Sequence, residues 1–92
     1  TKWLPGVKRL DRYHFYLEFD GKRTHAKAYD APVEQIMATD IHQAIERFCR
    51  RKHLECVQYE ALSDEAYRAY MVKKAFLKPP VEQVYYIEVS LS

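Results

Sequence analysis

Two groups of residues in this 92-residue chain have types and spacing that suit binding chemistry. The first is His14, Tyr16, Arg23, His25 and Lys27, in which aromatic rings alternate with cations over a short stretch. On one face of a sheet such residues stack on the bases of a single strand and neutralise its phosphates. The same residue types also anchor protein interfaces, where Tyr and Arg are enriched. The second group is Arg47, Arg50, Arg51 and Lys52, a run of cations able to touch phosphates or an acidic partner. At the end of a helix the same run serves the helix dipole and solubility.

Other chemistries find weaker support. His25 with Tyr16, Glu18 and Lys27 can be drawn as a general base and its neighbours, but a solvated sheet face explains these residues more simply. There is no nucleophile elbow, no glycine-rich phosphate loop and no helix-borne pair of carboxylates. His14, His25, His42 and His53 do not pair with another His or Cys at a helical or zinc-knuckle spacing, and Cys49 and His53 straddle an expected helix end. The reading is a non-enzymatic chain with no metal and no cofactor. Cys49 and Cys56 are expected as free, buried thiols, and the compartment as cytoplasmic or otherwise reducing.

These side chains need elements to hold them. Residues 13–20 alternate cleanly, with Tyr13, Phe15, Leu17 and Phe19 on one face and His14, Tyr16, Glu18 and Asp20 on the other. Asp20-Gly21 favours a two-residue type I′ turn, which predicts a hairpin, 13–20 with 22–29. In that register Leu17 faces Thr24, Phe15 faces Ala26 and Tyr13 faces Ala28. The polar face then pairs Glu18 with Arg23, Tyr16 with His25 and His14 with Lys27.

Residues 30–39 admit two readings. Asp30 and Pro32 could open a helix running to about Lys52. The preferred reading makes 33–38 a strand and starts the helix at Thr39 or Asp40, with Asp40 and Gln43 as a capping box. Residues 41–52 are helical on both readings, with Ile41, Ala44, Ile45, Phe48 and Cys49 as the apolar stripe.

Residues 54–60 form a third strand. Ser63-Asp64-Glu65 resembles a helix start, which predicts a second helix over about 64–76, with a strand over 67–72 as the alternative. Lys78-Pro79-Pro80 ends that element. The last strand, 84–90, is expected in the centre of the sheet rather than at its edge. Trp3 and Leu4 are expected to cap one edge of the core.

Length and composition set the frame. One domain over 1–92 is expected, with a modest core to which eight tyrosines, four phenylalanines and one tryptophan contribute heavily. The formal net charge of +2 is low for a tight nucleic-acid binder. No apolar run approaches the length of a membrane span, and no membrane association is expected. The fold class is α+β: a small antiparallel sheet with one or two helices on one face. The function expected is a protein-interaction module, acting as a regulator or inhibitor that presents a basic, tyrosine-rich sheet face to a larger protein. Nucleic-acid binding by the same face is the alternative, and a homodimer is an open arrangement.

Overall fold

The computed structural model describes residues 9–91. They form a five-stranded antiparallel sheet packed on one face by one helix. The elements in chain order are β1 (Asp11–Phe19), a short 3-10 turn (Ala28–Asp30), β2 (Glu34–Ala38), α1 (Ile41–Lys52), β3 (Glu55–Ser63), β4 (Ala66–Ala75) and β5 (Lys78–Ser90). The strand order is β2-β1-β5-β4-β3. Helix α1 joins the two edge strands, so it must cross the sheet. Trp3 and Leu4 lie outside the described residues.

Period-2 alternation chooses which side chains meet the helix. Tyr13 and Phe15 of β1 pair with Val89 and Ile87 of β5, and Tyr67 and Ala69 of β4 pair with Ile87 and Tyr85. These side chains share one face with Ile36 and Ala38 of β2 and Met71 of β4. The helix answers with Ala44, Ile45 and Phe48. Phe48 stacks flat on Phe15, with ring centroids 4.1 Å apart, and meets Tyr85 edge-on at 4.9 Å. Ala38, Ala44 and Ala69 are fully buried, and their small size lets helix and sheet approach closely. Burial pushes the Tyr13 and Tyr85 phenols up to about 12.

The preferred reading of 30–39 matches the structure: β2 is a strand and Asp40 caps the helix. Its carboxylate accepts from the Gln43 N–H at 2.8 Å, and the Gln43 side chain accepts from the Thr39 N–H at 2.9 Å. The helix ends at His53, which takes the left-handed conformation at φ 58°. Strand β5 is central, as expected, with β1 on one side and β4 on the other.

Two expectations are corrected. Residues 22–29 are not the second strand of a hairpin. The chain turns back after β1, but the turn spans Asp20 to Arg23, whose carbonyl accepts from the Asp20 N–H at 3.2 Å, so Thr24 faces Phe19 rather than Leu17. The His25 N–H reaches the Glu18 carbonyl at 2.9 Å, and pairing stops at that single bridge between Phe19 and Thr24. Strand β1 pairs instead with β2 and β5, which bring Ile36, Tyr85, Ile87 and Val89 to the core. Ala26 and Ala28 offer far less apolar area, and Ala, Lys and Asp are poor strand formers.

Residues 64–76 are not a helix. Asp64 and Glu65 form the turn between β3 and β4, with the Glu65 N–H on the Ser63 hydroxyl at 3.3 Å. The inward run Tyr67, Ala69, Met71 has period 2, and its pairing on both flanks overrides the helix-start signal. Lys78-Pro79-Pro80 accordingly opens β5 rather than ending a helix.

Candidate functional site

With α1 on one face, the other face of the sheet carries the remaining strand side chains. From the pairing these include Arg12, His14, Tyr16 and Glu18 of β1, Tyr86, Glu88 and Ser90 of β5, Arg68 and Tyr70 of β4 and Glu60 of β3. Near its middle three rings converge. Tyr16 and Tyr86 sit side by side at 5.9 Å, and Tyr29 closes the group at 6.1 Å from Tyr16 and 5.4 Å from Tyr86.

Tyr29 arrives from the loop. Asp20 accepts from the N–H groups of Lys22 and Arg23 at 2.8 and 2.9 Å, which fixes the turn after β1. Gly21 is required there. Its φ is +99°, and a Cβ would fall 2.4 Å from Val81 Cγ1. The 3-10 turn then lays Tyr29 over the sheet, and the Val33 N–H on the Phe15 carbonyl at 2.8 Å returns the chain towards β2.

An ion pair locks the cluster. Arg68 donates twice to Glu18, at 2.8 and 3.1 Å, and the Tyr29 hydroxyl donates to the same carboxylate. Burial alone would push Glu18 up, but the Arg68 and Tyr29 hydrogen bonds outweigh it and hold the carboxyl below its usual value. The hydrogen bond from Arg68 to Glu18 raises the guanidinium further above its ordinary value. Tyr16 and Tyr86 are raised by burial first and by Glu88 next, and Tyr29 by its bond to Glu18. At neutral pH the cluster therefore holds neutral phenols around a bound carboxylate–guanidinium pair. Tyr16, Tyr29, Arg68, Tyr86 and Glu88 line an open depression of about 330 Å³.

The residues singled out in the sequence are dispersed. His14 and Tyr16 lie on this face, where His14 Nε2 is 3.0 Å from the Ser90 hydroxyl and Tyr16 belongs to the ring cluster. Arg23, His25 and Lys27 sit in the loop after β1, not on a strand, so none is a cross-strand partner of Glu18, Tyr16 or His14. His25 bonds Asp20 at 2.9 Å. The Arg23 and Lys22 backbone N–H groups, with His25, bring the Asp20 carboxyl down to about 2.

The helix cations belong to the opposite side of the sheet. Arg47 donates to the Met37 carbonyl at 2.7 Å, while Arg51 and Lys52 reach Glu34 at 2.7 and 3.4 Å. Together they fasten the end of α1 to β2. Arg50 pairs with Glu46 one turn away at 3.5 Å. The two groups of cations thus do not share a surface.

The sequence reading missed Arg68, Tyr86 and Glu88. Their signal is the alternation of 84–90, which turns Tyr86 and Glu88 outward once Tyr85, Ile87 and Val89 turn inward. Arg68 follows only if 67–72 is read as a strand.

Cys49 and Cys56 are free and half-buried. Burial, then the neighbouring Cys56, raises the Cys49 thiol to about 11, and burial raises Cys56 as well. Among the described residues no helix is long and apolar enough to cross a membrane. Compared with known protein families, curated proteins and solved structures, the chain shows no match.

Proposed function

We propose that this protein is a non-enzymatic interaction module that binds another protein through the tyrosine-bearing face of its sheet, as a small regulator or inhibitor does. The observation that carries this reading is the convergence of Tyr16, Tyr29 and Tyr86 around the Arg68–Glu18 pair, with Tyr29 56% exposed. Tyr and Arg are the usual anchors of protein interfaces: Tyr brings large area with few rotatable bonds, and Arg a planar guanidinium with several donors. Here the rings already touch one another and the guanidinium is already held. Binding would therefore forfeit little side-chain freedom.

The charge pattern favours a protein over a nucleic acid. Arg12 and Arg68 share the face with Glu18, Glu60 and Glu88, so it is mixed in sign rather than basic. A phosphate backbone rewards a run of unpaired cations, and Arg68 is already neutralised by Glu18. A protein surface of mixed charge with an apolar centre fits better.

The test is fluorescence anisotropy with labelled random single-stranded and duplex DNA and RNA, between about 50 and about 200 mM salt. The proposal expects no saturable binding across that range. Micromolar binding that weakens steeply with salt and is lost in Tyr86→Ala would overturn it in favour of a nucleic-acid strand on the same face.

A further inference from the structure

Strands β4 and β5 extend past their neighbours. The last β3–β4 pair is Glu55 with Val72, and the last β1–β5 pair is Phe19 with Val84. Beyond these, among the described residues, the two strands pair only with each other and form an arm over 73–83, whose residues 73–82 are all exposed. At its tip Phe76 and Leu77 are each 88% exposed. Leu77 also takes φ +60°, a conformation that suits Gly or Asn and disfavours a branched apolar side chain. The tip thus carries two large apolar residues where the turn itself would prefer a polar or small one. Pro79 and Pro80 lack backbone donors, so an incoming strand finds fewer partners along that part of the arm.

The same end of the molecule holds a groove of about 530 Å³ between α1 and the edge strand β3. Ile45, Cys49, Cys56, Val57 and Tyr59 supply its apolar lining, and Val57 is 66% exposed. Its lining includes one carboxylate, Glu46, and no Lys or Arg, although Arg50 approaches Glu46 at 3.5 Å from the rim. The tip is flanked by Lys73, Lys74 and Lys78. Of these, Lys74 pairs with Glu55 at 3.1 Å in an exposed and therefore weak contact.

We propose that the occupant of this groove is the Phe76-Leu77 tip of a second copy of the chain. Among the described residues the apolar tip has no pocket and the apolar groove no occupant, and the groove begins beside the base of the arm, where Cys56 pairs with Met71. From Val72 to Phe76 the arm spans roughly 13 Å at about 3.3 Å per residue. A two-fold axis between two such ends lets each tip enter the other's groove, which closes the assembly as a dimer. Each Phe buries about 150–250 Å². Two insertions with the matching groove surfaces reach the order of 1,000 Å², the lower end for a specific interface. The dimer is accordingly weak.

The test combines sedimentation equilibrium with a cross-link. Between about 1 μM and about 1 mM, wild type should pass from monomer to dimer. Phe76→Ser and Val57→Arg, both at exposed positions, should each hold it monomeric. Leu77→Asn should also be monomeric while melting no lower than wild type, which separates lost association from lost folding. A benzophenone side chain at position 76, in an equal mixture of ¹⁴N and ¹⁵N protein, should join that position to residues 42–49 or 56–59 of the other isotope. Wild type that stays monomeric throughout, or a dimer whose cross-links fall elsewhere, would overturn the proposal.

Discussion

Glu18 and Arg68 are fifty residues apart and meet as a bidentate pair beneath Tyr29. With the Arg68 side chain 34% exposed, the pair should contribute less than a fully buried one. Glu18→Gln is expected to cost about 1–2 kcal/mol in urea unfolding. Because the folded carboxyl lies below its unfolded value, its stabilisation is complete above that value. It is lost as pH falls through the folded pKa, so the gap between wild type and Glu18→Gln should begin to narrow below the ordinary Glu value of about 4.3 and close only at lower pH. Asp20 behaves similarly but locally. Its carboxyl should titrate at about 2 by NMR, against roughly 3.9 for a free Asp. Its hold on Lys22, Arg23 and His25 should persist above the free value and fail as pH falls towards the folded one. Tyr16 and His14 could be placed on the polar face from alternation alone. Arg68 could not, since its role depends on a partner that only tertiary pairing brings near.

Among the elements, β1 and α1 meet in the core at the flat stack of Phe15 on Phe48. Both side chains are fully buried. Phe15→Ala or Phe48→Ala should cost about 3–5 kcal/mol, measured by chemical denaturation. That is a large part of the roughly 5–15 kcal/mol available to a small domain. At the start of α1, Asp40→Ala should cost about 1 kcal/mol, because the Gln43 N–H loses its acceptor. These elements were legible because their signals are local: the alternation of 13–19, the cap at Asp40, the stripe Ile41, Ala44, Ile45, Phe48. Residues 22–29 misled because a good turn was followed by alternation too weak in apolar area to hold a strand. Residues 64–76 misled because Ser63-Asp64-Glu65 suits a helix start and a tight β-turn equally.

At the scale of the whole molecule, the order β2-β1-β5-β4-β3 decides which side chains share a surface. That order is set by competition among strands far apart in sequence, and no local pattern records it. It sends Arg23, His25 and Lys27 into a loop and Arg47, Arg50, Arg51 and Lys52 to the helical side. In their place Tyr86 and Arg68 come beside Tyr16. The open face is the central claim, and it is tested most directly by a photo-cross-linking side chain at position 29 in extract of the source cells, with the same group at Arg50 on the helical side as control. The account predicts one discrete, nuclease-resistant polypeptide adduct from position 29, absent from position 50 and lost when Tyr86→Ala is added. Equal adducts from both positions, or an adduct from position 29 that nuclease removes, would contradict it.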